Sequence, residues 1–353
     1  MTISLCMIVK NEESVLSRCL NTVKGLFDEI IIVDTGSTDN TVLEAKKFTK
    51  KVYNFKWIND FSAARNYSFS LAKSDFVMWL DADDIISPPE LEKLKELKQS
   101  LTPDISVVML KYIVGFDEQN NPTFSYYRER ILNRRKNFKW EGAVHEAISI
   151  NGNTIYSNIQ IEHRKLKENE KARNLTIYEE MIKRKHPFNP RQTFYYAREL
   201  YFNGKIGKAI TVFNKFLKTN GGYKENYIES CLNLSKCYVI KRQFNKAKQC
   251  LFNSFNYDTP RSEILCELGD IYFLEKNYKT AIYYYNLATQ NQINETSGGF
   301  ILNDCYKFIP YVQMCVCYFY LNNYEMAKKY HNLSKELKPE NPIVLNNEKV
   351  FKN

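Results

Sequence analysis

Short apolar runs alternate with helix-like stretches from residue 3 to about residue 150, and no other feature limits the possible folds as much. The apolar runs are ISLCMIV, EIIIVD, VYNF and DFVMWL, and segments such as KNEESVLSRCLNTVKGL between them have helical spacing. Strands that are apolar throughout and separated by helices indicate a mainly parallel sheet covered on both faces. Such sheets bind ligands at the carboxyl ends of their strands. The sequence therefore predicts an α/β, Rossmann-like domain with its binding site at that edge.

Three carboxylates, Asp81, Asp83 and Asp84, directly follow the apolar strand end MWL, while Asn11 and Asp34 follow the first two strands. Like charges so close together repel, and their burial without a partner is costly. A divalent cation, Mg²⁺ or Mn²⁺, relieves this repulsion because it binds carboxylates and bridges to substrate phosphates. As a Lewis acid it also stabilises a departing diphosphate. The alternative is that the carboxylates cap the next helix, PPELEKLKELK.

Composition restricts the class of protein. A chain of 353 residues is long enough for about two domains. The net charge of +10 favours anionic partners such as nucleotides, but the basic residues are scattered, so we predict no nucleic-acid binding. The nine cysteines have no framework-like spacing, which indicates free thiols in a reducing compartment. The N-terminus lacks a signal-peptide pattern and no run reaches 18 apolar residues, so we predict a cytoplasmic protein without a transmembrane segment.

Long amphipathic helices are predicted beyond about residue 165. Four alanines, Ala209, Ala247, Ala281 and Ala327, mark a repeated pattern, with an aromatic residue or Leu nine positions before each of them. Their spacing of about 34 to 46 residues compares with about 34 in a tetratricopeptide repeat. The pattern resembles about four such repeats, and the alternative is a generic helical bundle. Stacked repeats form a concave surface that binds peptides or proteins.

Five motifs occur in order along the chain: SLCMIVKNEE, DEIIIVDTGSTDNT, NDFSAARN, WLDADD and WEGAVHE. Together with the repeats they resemble the bacterial family 2 glycosyltransferases of GT-A fold that carry C-terminal tetratricopeptide repeats. Protein and peptide glycosyltransferases, including those that glycosylate Ser or Cys of glycocin bacteriocins, are similar to this arrangement. The resemblance implies a GT-A catalytic domain at 1–165, a linker helix at 166–189, and an all-α, tetratricopeptide-like domain of about four helix pairs at 190–353.

The resemblance also implies a nucleotide site. The loop after the first strand would line the nucleotide pocket, Asp34 would accept a hydrogen bond from the uracil N–H, and Asp81 of the D-x-D motif would face the ribose. Arg65 would lie near the base and diphosphate, with Asp60 orienting it on the substrate side. The nucleotide-binding set is then Val9, Asn11, Glu12, Asp34, Arg65 and Asp81.

The same resemblance implies a metal site and a general base. Asp83 would bind the metal ion, with His145 as a second ligand to metal or diphosphate and His163 as a further candidate. Glu146 is the candidate base that removes the acceptor proton. Glu141 is its rival, one turn upstream of His145 if this segment is helical. Glu146 has the alternative role of pairing with a nearby Arg.

The remaining candidates each have two readings. Trp140 is predicted to form the floor of a sugar pocket, with a core position as the alternative. The basic residues Arg128, Arg130 and Arg134 meet phosphate charge or form a solvated edge. We expect His186 and His331 to be structural or solvated.

The predicted function is an inverting, metal-dependent transfer of a hexose, of glucose or N-acetylglucosamine type, from a UDP-sugar to a Ser, Thr or Cys side chain. The repeats would dock the protein or peptide acceptor, and a homodimer is compatible with them. One alternative keeps the chemistry but uses an envelope glycan or a lipid-linked acceptor. The other is a non-catalytic repeat adaptor with a relic enzyme domain.

Overall fold

The computed structural model describes residues 1–166 and 172–351. The chain divides into two compact units, one of Met1–Gly115 with Tyr126–Pro187 and the other of Phe116–Ser125 with Phe188–Asn353. The domain boundaries expected from the sequence, at 165 and 190, stay a prediction. Within the described ranges, no helix is both long and apolar enough to cross a membrane.

The first unit is built on a mixed sheet and a separate short ladder. Their strands are β1 (Ile3–Val9), β2 (Glu29–Asp34), β3 (Val52–Asn54), β4 (Phe76–Trp79), β5 (Asp84–Ile85), β6 (Ile105–Phe116), β7 (Pro122–Asn133), β8 (Trp140–Glu141), β9 (Ala147–Ile148) and β10 (Asn153–His163). The strands of the sheet lie in the order β3-β2-β1-β4-β7-β6-β10-β5. Parallel pairing joins β1 to β2 and β4, β2 to β3, and β6 to β10, whereas β7 is antiparallel to β4 and β5 is antiparallel to β10. The short ladder joins β8 and β9.

Both faces of the parallel strands are buried, as their apolar sequences predict. Leu5 and Met7 of β1 belong to one core cluster, while Cys6 between them packs with Ile31 and Val33 in another. Side chains alternate across a strand, so this division means that helices cover the sheet on both sides. The helices of this unit are α1 (Leu16–Thr22), α2 (Thr41–Lys46), α3 (Phe61–Ser70), α4 (Pro88–Ser100) and α5 (Arg173–Lys183).

The predicted linker helix at 166–189 corresponds in the described residues to α5, which belongs to the first unit. Residues 167–171 of that prediction lie outside the described ranges.

The second unit is a stack of helix pairs, which confirms the tetratricopeptide-like prediction. The four marker alanines of the sequence pattern are all fully buried, because each lies where two helices touch. A short strand, β11 (Ile301–Leu302), pairs with Phe124 and Ser125 of the same unit. The helices are α6 (Pro190–Phe202), α7 (Ile206–Phe216), α8 (Lys224–Ile240), α9 (Phe244–Asn253), α10 (Ser262–Leu274), α11 (Tyr278–Gln290), α12 (Phe308–Tyr320), α13 (Tyr324–Leu337) and α14 (Pro342–Phe351).

Candidate functional site

The loops that follow β1 and β2 are bonded to each other. Asn11 has a left-handed backbone (φ 58°), a conformation that asparagine tolerates better than most residues. Its N–H donates to Ser37 Oγ at 2.9 Å, and its side-chain oxygen accepts from the N–H of Thr38 at 2.8 Å. The Glu12 N–H donates to Thr41 Oγ1 at 2.7 Å. The structure therefore brings the predicted nucleotide loop and the segment after β2 into one cradle.

Asp34 closes the second strand beside Val9, its partner in the β1–β2 register. Its carboxylate accepts from the backbone N–H groups of Gly36 at 3.1 Å and Ser37 at 3.2 Å. These bonds hold the turn after β2 and leave Asp34 5% exposed. The proposed contact with a uracil ring stays a prediction.

Arg65 is the centre of the second part of the site. It donates from Nη2 to Asp81 at 2.8 Å and from Nε to Glu146 at 2.7 Å. Its guanidinium carbon lies 4.8 Å from the ring centroid of Trp79 and 4.9 Å from that of Trp140. Two ion pairs and two aromatic rings thus hold a buried guanidinium with its charge directed at the D-x-D turn.

These contacts fix the charge of Asp81. Burial by itself raises the pKa of this carboxyl, but the charges of Arg65 and Arg130 and the hydrogen bond from Arg65 lower it well below its usual range. The pKa of Arg65 is likewise raised, because the attraction of Asp81 and Glu146 outweighs its burial. Both groups are therefore charged over the whole physiological range.

Asp84 lies directly beneath this turn and is fully buried. One carboxylate oxygen accepts from the Asp81 N–H at 2.9 Å and from Arg130 Nη1 at 2.9 Å, and the other accepts from the Tyr112 hydroxyl at 2.8 Å. Arg130 is also fully buried, 3.8 Å from the ring centroid of Trp79. The ion pair of Asp84 and Arg130 therefore fixes the backbone at Asp81.

His163, at the end of β10, faces the same carboxylates because the antiparallel register places it opposite Asp84 of β5. Its Nδ1 lies 3.2 Å from an oxygen of Asp83 and 3.5 Å from one of Asp84. Burial lowers the pKa of this imidazole, but the contacts with Asp83 and Asp84 outweigh it and raise the pKa to about 9.

The three carboxylates thus each contact a cation of the protein itself: Asp81 contacts Arg65, Asp83 contacts His163, and Asp84 contacts Arg130. These contacts offset part of the repulsion between the carboxylates, and the binding of a divalent ion stays a prediction. The capping alternative is wrong for Asp84, since this residue lies in β5 and Ser87 is the residue that precedes α4.

Trp140 and Asp60 lie where they cannot take the roles predicted for them. Trp140 is only 2% exposed and packs against Trp79 and Phe69, so its ring is not accessible as the floor of a sugar pocket. Asp60 does not orient Arg65: it is the N-cap of α3, and its carboxylate accepts from the Ala63 N–H at 3.0 Å.

The segment from 140 to 148 is a short hairpin rather than a helix, because β8 pairs with β9 and Gly142 has a φ of 100°. Glu141 is exposed and stands opposite Ala147 in that ladder, so it is not one helical turn from His145. Asn66, a residue of the NDFSAARN motif to which the sequence assigned no role, anchors β8. Its side chain exchanges two 2.9 Å hydrogen bonds with the backbone of Trp140.

The three predicted arginines and the other histidines lie in different surroundings. Arg130 is buried under the D-x-D turn, Arg128 pairs with Glu129 at 3.1 Å, and Arg134 is exposed. The ring of His145, whose φ is 52°, lies parallel to that of Tyr178 at 6.4 Å. His186 is exposed and His331 is buried in the second unit.

Asp83, Asp84 and His163 form a cluster of metal-ligand type in the described residues, with their ligand atoms within 4.8 Å of one another. Carboxylate oxygens and an imidazole nitrogen suit Mn²⁺, and Asp83 and His163 retain partial exposure. Asp84 fits less well, because its oxygens already serve Arg130, Tyr112 and the Asp81 N–H. A divalent ion would therefore be held by Asp83 and His163.

In the metal-free protein, the pairing of His163 should make stability depend on pH. Free histidine has a pKa of about 6.5, whereas the pKa of His163 in the folded protein is raised to about 9. The pairing therefore stabilises the fold fully below pH 6.5, and this stabilisation is lost as the pH rises through 9. His163→Gln should therefore lower the free energy of unfolding by on the order of 2 kcal/mol below pH 6.5 and by little above pH 9. Urea unfolding of both proteins across this pH range measures it. A difference that does not change with pH would contradict the pairing.

The mainly parallel sheet carries an acidic turn, a buried guanidinium and loop amides at its strand ends, and helical repeats follow it along the chain. This combination defines the class of repeat-carrying GT-A proteins. Residues 4–157 match the model of the family described as glycosyl transferase family 2, and residues 262–292 match that of the tetratricopeptide repeat. The chain therefore carries a family 2 glycosyltransferase domain followed by tetratricopeptide repeats.

Among similar proteins is the SPbeta prophage-derived glycosyltransferase SunS of Bacillus subtilis (strain 168), 32% identical over 266 residues. The match covers 71% of this chain and 61% of SunS. A TPR repeat-containing protein of Synechococcus elongatus is 35% identical over 147 residues, 41% of this chain and 35% of that protein. Among solved structures, MamA shares 22% identity at a TM-score of 0.33, with 40% of this chain and 74% of MamA covered. This chain thus spans about 61% of the length of SunS.

Proposed function

We propose that the protein transfers a hexose, of glucose or N-acetylglucosamine type, from a UDP-sugar to a Ser, Thr or Cys side chain of a protein or peptide. The acceptor oxygen or sulfur would attack the anomeric carbon as the bond from that carbon to the diphosphate oxygen breaks. The acceptor proton passes to a carboxylate base, UDP leaves with the bonding electrons, and the anomeric configuration is inverted.

The observation that carries this proposal is the convergence of Arg65, Asp81 and Asp83 at the carboxyl end of β4, beside the cradle made by Asn11 and Asp34. A buried guanidinium beside partly exposed carboxylates can bind a diphosphate directly and, through a divalent ion, a second time. The family match of residues 4–157 supports the same chemistry.

Each residue of the proposed site would bind a different part of the donor or the metal ion. Val9, Asn11, Glu12 and Asp34 would hold the nucleoside. Arg65 would meet the diphosphate, Asp81 the ribose, and Asp83 with His163 or His145 would hold Mn²⁺ or Mg²⁺. The metal ion would supply charge neutralisation at the leaving diphosphate.

The base is one of two carboxylates. Glu146 would lie beside the diphosphate, but one of its oxygens accepts from Arg65 Nε, so its first role would be to orient that guanidinium. Glu141 lies exposed on the two-residue strand β8, where its carboxylate is open to an incoming acceptor. Glu141→Gln and Glu146→Gln, compared by their kcat and KM, separate a base from an orienting residue.

The repeats are the proposed dock for the acceptor, since stacked helix pairs present an extended surface to peptides. The likeness to SunS, a glycosyltransferase, supports the transfer reaction, while the preference for a protein or peptide acceptor rests on the repeats. All nine cysteines are free thiols, which fits the proposed cytoplasmic location.

The test is a donor screen by calorimetry with UDP-glucose, UDP-N-acetylglucosamine, UDP-galactose and a GDP-sugar, each with and without Mn²⁺. We expect one UDP-sugar to bind with an affinity that Mn²⁺ increases, because the ion bridges carboxylates and substrate phosphates, and to be hydrolysed slowly without acceptor. Preference for the GDP-sugar would contradict the donor assignment. Absence of binding and turnover with every donor would favour the adaptor alternative.

A further inference from the structure

The four helix pairs of the second unit share an unusual feature at the end of their first helices. The last residue of α6, α8, α10 and α12 is a large apolar residue that is more than half exposed: Phe202 (62%), Ile240 (56%), Leu274 (53%) and Tyr320 (54%). Single exposed apolar residues are common on protein surfaces and need no explanation. The same position in all four pairs does need one.

The turns that follow these residues are equivalent. Each contains three residues, and the middle one is left-handed: Gly204, Arg242, Lys276 and Asn322 have φ between 56° and 71°. Short turns of this kind join antiparallel helices, and each helix packs on the next along the stack. The four turns therefore lie at one end of the helices, in a row.

The row is continuous where ring contacts join neighbouring pairs. The Tyr320 ring stacks on that of Tyr278, the first residue of α11, at 5.0 Å and 9°. The Phe273 ring, beside Leu274, lies 6.0 Å from that of Tyr320. We call residues 202–208, 240–246, 274–280 and 320–326 the turn ridge.

The turn ridge is strongly cationic. It contains seven cations and two carboxylates, Glu275 and Glu325, so that half of the chain's net charge of +10 lies in these four stretches. One of the two carboxylates, Glu275, is already paired with Lys248 at 2.7 Å. The seven cations, all exposed, are Lys205, Lys208, Lys241, Arg242, Lys246, Lys276 and Lys279.

Charge and shape together identify the occupant. A second copy of this ridge would be repelled by its own charge, which excludes self-association through this row. A bound peptide strand or helix requires a groove or a sheet edge, whereas these side chains stand on the tips of turns. An anionic lipid surface needs no matching groove, and it takes up exposed apolar side chains between cations that meet its headgroups.

We propose that the turn ridge binds the surface of an anionic lipid bilayer, with Phe202, Ile240, Leu274 and Tyr320 entering the headgroup region. This inference is independent of the proposed transferase activity. It places the protein on a membrane surface as a peripheral protein, through its repeats.

The experiment is sedimentation of the 353-residue chain with vesicles of phosphatidylcholine alone and of phosphatidylcholine mixed with phosphatidylglycerol. One variant removes apolar groups, a second removes charge, and a third is a matched control at exposed positions outside the ridge. They are F202S/I240S/L274S/Y320S, K205Q/K241Q/R242Q/K276Q, and Y283S/L337S/K215Q/K218Q.

We expect the wild-type chain and the control to bind the phosphatidylglycerol vesicles and not the phosphatidylcholine vesicles. The charge variant should lose at least about tenfold in vesicle affinity, and the apolar variant a similar factor. Circular dichroism of each variant checks that the helices are intact. The proposal is overturned by a wild-type chain that does not bind, or by folded variants that bind as well as it does. Binding of soluble polyglutamate in place of vesicles would assign the ridge to an acidic protein partner instead.

Discussion

Replacement of Asp83 by Asn is expected to reduce Mn²⁺-dependent donor turnover at least about 100-fold, because loss of the outer partners of a metal ligand alone already costs 10- to 100-fold in affinity. Asp83 is the partly exposed carboxylate of the Asp83–Asp84–His163 cluster, and it carries the charge that a divalent ion requires. Calorimetric titration of Mn²⁺ and UDP, together and separately, measures the loss of the metal-linked part of nucleotide binding.

The substitution is nearly isosteric, so its effect on folding should be small. Glu92→Gln is the matched control, since Glu92 is an exposed carboxylate on α4 whose contact is a surface pair with Lys95. We expect this control to retain the donor affinity of the wild-type chain. Unchanged Mn²⁺ affinity in the Asp83→Asn protein would refute its role as a ligand.

His163→Gln and His145→Gln decide which imidazole completes the metal site. The distance of 3.2 Å from His163 Nδ1 to Asp83 favours His163, whereas the ring of His145 stacks on Tyr178. Loss of Mn²⁺ affinity in the His145 variant alone would instead identify His145 as the ligand, as the sequence motif predicted.

The sequence predicted the parallel strands because their signal is local. Each of β1, β2 and β4 is a continuous apolar run, and a strand buried on both faces has no other composition. The position of Asn11, Asp34 and Asp81 at the carboxyl ends of these strands follows from the connectivity of a parallel sheet. The buried alanines of the repeats were equally predictable, because a close helix contact admits only a small side chain at a fixed interval.

The partners of the acidic turn were not predictable from the sequence. His163 reaches Asp83 because β10 runs antiparallel to the two-residue strand β5, a register set by contacts far apart in the chain. Arg130 reaches Asp84 across a separation of 46 residues. Trp140 was misassigned because the pattern WEGAVHE does not reveal the hairpin that buries the ring against Trp79.

Replacement of Arg130 by Met is expected to destabilise the first unit by about 3–5 kcal/mol, because it removes the cation nearest to the buried carboxylate of Asp84. Both side chains are fully buried, and the contacts that stay with the carboxylate are the Tyr112 hydroxyl, the Asp81 N–H and the longer contact with His163 Nδ1 at 3.5 Å. The free energy of unfolding in urea, followed by the fluorescence of the tryptophans, which all lie in the first unit, measures the loss.

The double variant Arg130→Met with Asp84→Asn should recover much of that stability, because it removes the buried charge. The introduced amide can still accept from the Asp81 N–H through its oxygen, and its NH2 can donate to the Tyr112 hydroxyl oxygen. Lys95→Met, which breaks the exposed pair with Glu92, is the control and should cost no more than about 1 kcal/mol. A double variant no more stable than Arg130→Met would show that the arginine acts through packing on Trp79 rather than through the charge of Asp84.

Donor binding by the double variant tests whether the site needs the charge of the buried pair or only its support of the fold. Asp84 accepts from the Asp81 N–H, and the Asp81 carboxylate accepts from Arg65. The buried pair of Asp84 and Arg130 therefore fixes the position of the partly exposed Asp81. If the support only has to be neutral, the double variant binds UDP and Mn²⁺ like the wild-type chain. If Asp81 must be held by a charged acceptor, donor affinity falls even though the fold is restored, and the buried ion pair is then retained for the geometry of the turn rather than for stability.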